Sequence, residues 1–239
     1  MAKSFPNTGA TVGLAADRSA LTSPFAGMQF FETDTKALYL YDGSAWVSML
    51  DTDTPPGMVL LAPTSVSGTN VSLSGFKTVS TGTTALTING VFSSLYTSYY
   101  VMCSRFTLTS SSAQPYRMQL TSAGTPAATN YNSVGYYLQA TSNPTGRNFT
   151  GDTTNWQIQA NQAGTTAGSV SNMINIQLGS PFLAEKSAMS LSSALAFTPN
   201  NQTEWIVGNH TTASSYDGIK IYSAGTFTGN VVVYGYRES

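Results

Sequence analysis

Apolar and polar positions alternate along most of this chain with the period of two that marks a strand. Met28-Gln29-Phe30-Phe31-Glu32-Thr33 predicts a first strand and Asp34-Thr35-Lys36 a turn. Ala37-Leu38-Tyr39-Leu40-Tyr41 follows, with Leu and Tyr on opposite faces. Asp42-Gly43-Ser44 predicts a second tight turn, and Ala45-Trp46-Val47-Ser48-Met49-Leu50 closes a three-stranded meander. Helical spacing is scarce. The best candidate is a short turn from Leu14 to Leu21, stopped before Ser23-Pro24 because the residue ahead of a proline is pushed out of the α region.

The meander carries apolar residues on both faces, and three short strands cannot bury both by themselves. Phe30, Phe31, Tyr39, Tyr41 and Trp46 are therefore expected at an assembly interface, with Trp46 as its anchor. The polar, proline-bearing segment Asp51-Thr52-Asp53-Thr54-Pro55-Pro56-Gly57 reads as a linker. It divides the chain into an N-terminal module, 1–56, and a larger unit, 57–239.

In the larger unit, short apolar runs are separated by Gly, Ser, Asn and Pro. Examples are Tyr99 to Phe106, Tyr116 to Leu120, Met173 to Leu178, Met189 to Phe197 and Ile219 to Tyr222. About ten such strands predict an all-β unit, a β-sandwich of jelly-roll type. The β-branched run Asn230-Val231-Val232-Val233-Tyr234-Gly235-Tyr236 predicts a C-terminal strand held inside a sheet. Tyr96, Tyr99 and Tyr100 are assigned to the framework of this unit.

Composition sharpens the picture. Hydrophobic residues make up 41% of the 239 positions, enough for a core, while charged residues make up 9%. Roughly a quarter of the residues are Ser or Thr, well above ordinary usage. The formal net charge is −1, and no Lys/Arg cluster lies on any predicted element. Phosphate-driven nucleic-acid binding needs such a footprint and is set aside, as is an anionic membrane surface. The N-terminus lacks a secretion signal, and no apolar run reaches membrane-spanning length. The expectation is a protein made in a cytoplasm whose hydroxyl- and amide-rich surface acts outside one.

Chemistry is sparse. His210, the one histidine, lies in Gly208-Asn209-His210-Thr211 with no Gly-x-Ser-x-Gly elbow elsewhere. Cys103, the one cysteine, sits in an apolar strand and reads as a small buried hydrophobe. Asp51-x-Asp53 lacks the rest of a calcium loop. The larger unit holds only Asp152, Glu185, Glu204, Asp217 and Glu238 as acids, so no carboxylate pair stands out for glycoside hydrolysis. No enzyme activity, metal or cofactor is expected. The aromatics carry more information, because tyrosine and tryptophan combine a large apolar face with a polar tip. Tyr131, Tyr136, Tyr137, Trp156 and Tyr216 lie beside Gly/Asn/Ser turns and are the candidate ligand contacts, the alternative for each being a place in the core.

The segment Gly27-Met28-Gln29-Phe30-Phe31-Glu32-Thr33-Asp34-Thr35 through Leu38-Tyr39-Leu40-Tyr41-Asp42-Gly43 to Trp46 resembles a module near the N-termini of fibres of tailed bacteriophages. Ile88-Asn89-Gly90-Val91-Phe92 through Tyr99-Tyr100-Val101, with the closing Gly229 to Tyr236, resembles a β-sandwich module of phage minor tail proteins. The resemblance implies a homotrimeric virion appendage. Its N-terminal part would dock to other virion proteins, and its distal part would bind a host-cell surface glycan or protein. A capsid-mounted head fibre, a decoration protein or a tail adaptor is the alternative.

Overall fold

A computed structural model of the chain describes all residues except 1–2, 5–9, 36, 50–56, 109–113, 140–144, 151–152, 160–170, 197–200 and 238–239. The chain forms two compact units, Met1–Pro55 and Pro56–Ser239. The expected linker, 51–56, lies outside the described residues.

The first unit is a five-stranded sheet in the order β1-β2-β3-β4-β5. Its strands are β1 (Lys3–Ser4), β2 (Ala10–Gly13), β3 (Gln29–Glu32), β4 (Leu38–Tyr41) and β5 (Trp46–Ser48). The helix α1 (Ala15–Ser19) lies within the expected helical segment. The meander β3-β4-β5 is antiparallel, whereas β2 runs parallel to β3. Parallel neighbours need a crossover, and the segment containing α1 supplies it. At the β4–β5 turn, Asp42 Oδ1 accepts the backbone N–H groups of Ser44 at 2.7 Å and Ala45 at 2.8 Å. These bonds hold the Asp42 carboxyl below its usual range.

Period two assigns every side chain of this sheet to a face. Thr11, Phe30 and Tyr39 share one face through the registers Thr11↔Phe30 and Phe30↔Tyr39, and Tyr41↔Trp46 extends it. This is the face under α1. Arg18 of the helix stacks 4.1 Å over the Tyr39 ring and bonds Glu32 at 2.6 Å, with Glu32 buried. The Trp46 ring lies 6.0 Å from Phe30 and 5.3 Å from Tyr41. The opposite face holds Val12, Phe31, Leu38, Leu40 and Val47. Phe31 and Val47 are 37% and 48% exposed there. Of the five residues expected at the interface, Phe30 alone is wholly buried and is corrected to a core residue; Tyr39, Tyr41 and Trp46 are half-buried on its face of the sheet, and Phe31 is exposed on the opposite face.

The second unit is one large antiparallel sheet. Its strands are β6 (Gly57–Leu61), β7 (Ser65–Ser67), β8 (Val71–Ser74), β9 (Lys77–Asn89), β10 (Ser98–Leu108), β11 (Tyr116–Ser122) and β12 (Thr125–Pro126). They continue with β13 (Tyr131–Gln139), β14 (Thr145–Thr150), β15 (Trp156–Gln159), β16 (Ser171–Gly179), β17 (Ser187–Ala196), β18 (Asn201–His210) and β19 (Gly218–Arg237). The main order is β12-β11-β19-β10-β16-β17-β18-β13-β14. The 20-residue β19 is the spine. It pairs with β11 and then β10 along one edge, and with β9 and then β6 along the other. Its β-branched sequence suits a strand enclosed on both edges.

Strand β10 shows how the core is filled. Tyr99, Val101 and Cys103 point inward at period two, but the next inward residue is Phe106. A β-bulge at Arg105, whose φ is +58°, absorbs the extra residue and returns the aromatic ring to the core. There Phe106 stacks on Phe227 with centroids 5.3 Å apart. Gly229 lets Phe106 approach, because a Cβ at that position would collide with the ring. Cys103 is wholly buried, which pushes its thiol pKa up and leaves it inert.

The core also reaches across from β11 and β15 to β13 and β18. Tyr131 Oη accepts the Leu120 N–H at 2.9 Å, and Trp156 Nε1 donates to the Asn209 carbonyl at 3.1 Å. His210, at the end of β18, is buried against the Tyr131 ring at 4.5 Å and the Tyr216 ring at 5.2 Å. Its Nε2 faces the Thr129 carbonyl at 3.0 Å, so this nitrogen carries the proton, and Nδ1 faces the Tyr216 hydroxyl at 3.4 Å.

Two predictions follow from this packing. Trp46→Ala should destabilise the N-terminal unit by about 2 kcal/mol or more, whereas Val47→Ser should change it by less than about 0.5 kcal/mol. Chemical denaturation followed by Trp46-independent circular dichroism measures both. For His210, burial lowers the pKa from its ordinary 6.5. The folded chain holds the ring neutral while the unfolded chain protonates, so stability is greatest above the unfolded pKa and falls as pH drops through the folded one. Melting temperatures from about pH 7.5 to about pH 5.5 should fall for the native chain and fall less for His210→Gln.

Candidate functional site

The outer face of the large sheet is built across β6, β19, β10, β16, β17 and β18. One row of cross-strand neighbours runs Leu60, Tyr234, Tyr100, Gln177, Ser190, Val207. The next runs Val232, Met102, Asn175, Ser192, Trp205. On β16 and β17 the inward partners are Ile174, Ile176, Leu178, Met189 and Leu191, all buried. The hydroxyls and amides between them must therefore face outward.

Side-chain length shapes this face into a trough. Gly179, Ala188, Ser190 and Ser192 are short, while Tyr100, Tyr236 and Trp205 stand up beside them. One depression of about 440 Å³ lies among Met58, Tyr236, Tyr100, Gly179 and Ala188. A second of about 350 Å³ lies between Tyr100 and Trp205, over Asn175, Gln177, Ser190 and Ser192. Both are lined by Tyr100, Gln177 and Ser190, so they adjoin. Trp205 and Tyr236 are 49% and 47% exposed. No charged side chain lines either depression.

The polar groups of the floor are only partly engaged with one another. Ser190 Oγ donates to Gln177 Oε1 at 3.3 Å. Asn175 Oδ1 is buried with no hydrogen-bond partner among the described residues. The Tyr100 ring lies 6.5 Å from Tyr234, and desolvation with that neighbour raises its pKa, so its hydroxyl stays protonated at neutral pH.

The aromatic candidates from the sequence fare unevenly. Tyr131 and Trp156 are fully buried, and Tyr216 is buried too, so these three are core residues and not surface contacts. Each sits next to a polar turn, as expected, but its ring points inward. Tyr137 is half-buried and pairs with the buried Glu204. Tyr136 is exposed and pairs with Trp205, which places it at the rim of the trough. The residues that sequence reasoning missed are Tyr100, Trp205 and Tyr236. Tyr100, expected in the framework with Tyr99, faces outward; only Tyr99 points inward, its hydroxyl donating to the Ser93 carbonyl at 2.7 Å. Trp205 lies between Glu204 and Ile206, both fully buried, an arrangement in which the carboxylate and not the indole faces inward. Ser193 Oγ donates to Glu204 at 3.0 Å, and Gln202 bonds it as well. The alternation of Asn175 and Gln177 with Ile174, Ile176 and Leu178, and of Ser190 and Ser192 with Met189 and Leu191, is the sequence signal for this face.

His210 is held by a carbonyl and a tyrosine within the core, which gives it a packing role. Among the described residues, no group of three or more His, Cys, Asp or Glu side chains could hold a metal ion. No described helix is long and apolar enough to cross a membrane. Comparisons of the chain with protein-family models, with curated proteins and with solved structures found no match.

Proposed function

We propose that the chain is a fibre-type appendage of a tailed-bacteriophage virion that attaches to the host-cell surface. The observation that carries this reading is the outer trough, a concave surface of tyrosine, tryptophan, amide and hydroxyl groups without charge. Such a surface suits contact with an uncharged partner at any ionic strength. The N-terminal unit, which carries the sequence resemblance, would join other virion proteins and a trimer of this chain. Its face of Val12, Phe31, Leu38, Leu40 and Val47 supports that role, because in a single copy Phe31 and Val47 are exposed and the other three are only half-buried. The large unit would then be the distal, sandwich-type module.

A mainly structural role, as a head fibre, decoration protein or tail adaptor, has one observation in its favour. The cross-strand pair Val134↔Val207 is 53% and 55% exposed beside Tyr136 and Trp205, and a neighbouring virion protein would cover it.

Immunogold labelling of intact virions distinguishes tail from capsid, and soluble chain added before infection tests attachment. Label on tail tips with blocked adsorption is the expected result. Capsid label with unhindered adsorption favours the structural role instead. Native mass spectrometry of the full chain should give a trimer, and Leu40→Asp with Val47→Asp should convert it to monomer. A native chain that remains monomeric at micromolar concentration overturns the trimer.

A further inference from the structure

We infer that the outer trough of the large unit binds a neutral oligosaccharide laid across the strands between Tyr236 and Trp205. This deepens the attachment reading and rests on it only for the biological setting of the ligand.

The walls fit sugar rings. A pyranose presents a flat C–H face, and an exposed aromatic ring can cover that face while leaving the hydroxyls at its edge free to bond. Tyr236, Tyr100 and Trp205 stand along the trough as such surfaces. The floor fits sugar hydroxyls. Asn175, Gln177, Ser190 and Ser192 each offer both donor and acceptor atoms, as a hydroxyl does. Asn175 Oδ1 in addition lacks a donor among the described residues, and buried acceptors are normally satisfied. A ligand hydroxyl reached by a turn of that amide supplies one.

Dimensions select a chain of sugars over a single ring. Tyr100 on β10 and Trp205 on β18 are separated by β16 and β17 and by two residues of register, which puts them about 16 Å apart. The depression beside Tyr236 continues the trough beyond Tyr100. Charge selects a neutral ligand, since no lining residue can pair with a carboxylate or sulfate. An extended peptide is disfavoured for a different reason. Apart from β6 at its margin, the strands under the trough, β19, β10, β16, β17 and β18, are already paired on both sides, so its floor offers no edge for strand addition.

The test uses the full chain on an array of neutral hexose and N-acetylhexosamine oligosaccharides, with sialylated and uronic-acid counterparts. The best binder is then titrated by calorimetry. Neutral chains should be retained, with affinity nearly unchanged by salt. Tyr236→Ala and Trp205→Ala should each weaken binding by about tenfold or more with an unchanged melting temperature, because both side chains stand at the surface, and the half-buried Tyr100, changed to Ala, should weaken binding as much with some loss of melting temperature. Gln177→Ala should weaken it less. Retention of acidic glycans only, or of none, overturns the sugar assignment. So does a change of oligomeric state in Trp205→Ala, read by sedimentation, because the trough would then be a contact between copies. Cell adhesion separates the two readings. Adhesion by native chain and Trp205→Ala alike, without glycan binding, leaves attachment standing and removes the sugar site. Glycan binding lost in the variants, with no adhesion by the native chain, leaves the sugar site standing and removes host attachment.

Discussion

Backbone pairing along β19 is the constraint on which the large unit depends. A strand of 20 residues presents two rows of donors and acceptors, and each must be met once the strand is inside the fold. Four strands meet them: β11 and β10 on one edge, β9 and β6 on the other. These partners begin at Gly57, Lys77, Ser98 and Tyr116, all far earlier in the chain. The sheet therefore closes through pairings of long sequence separation, whose loop-closure entropy is overcome only when the C-terminal strand arrives. Phe227, Val231 and Val233 on the inner side of that strand then bring the core together.

The same sheet gives the outer face its character. Alternation sends Ile174, Ile176, Met189 and Leu191 inward and leaves Asn175, Gln177, Ser190 and Ser192 outside. A protein with 9% charged residues must keep its surface wet by other means, and hydroxyls and amides do so here. Because these side chains are short, the taller aromatics on either side create relief on what would otherwise be a flat sheet. The trough is thus a consequence of side-chain length on regular strands and requires no special loop.

In the N-terminal unit the decisive interaction is α1 against the sheet. Arg18 spans Tyr39 and Glu32, and the carboxylate, though buried, is satisfied by the guanidinium and by the Thr35 hydroxyl. That contact fixes which face is inside. Phe30 is buried on the helix side with the Trp46 ring against it, and Phe31 and Val47 are exposed on the other face.

The amino-acid sequence by itself determined the all-β character, the strands β3, β4 and β5 with their turns, the short helix and the enclosed C-terminal strand. It also determined the buried place of Cys103, which lies in an unbroken apolar run. These follow from period two, from turn chemistry and from β-branched composition, which are local properties. Tertiary structure decided which face is inside wherever both faces of a strand carry apolar or aromatic residues. Adjacent aromatics such as Tyr99 and Tyr100 are indistinguishable by type, and a turn-flanking tyrosine such as Tyr131 can point to water or to Trp156. The bulge at Arg105 shifts the parity of everything after it, and Glu204 is buried while Trp205 is exposed. Strand β2 was missed because a short parallel strand owes its existence to a partner reached through the α1 crossover, and β1 because it pairs antiparallel with β2 alone. The trough was hidden because it joins β19 and β10 to β16, β17 and β18, and only cross-strand register places Tyr100 beside Gln177 and Trp205 beside Ser192.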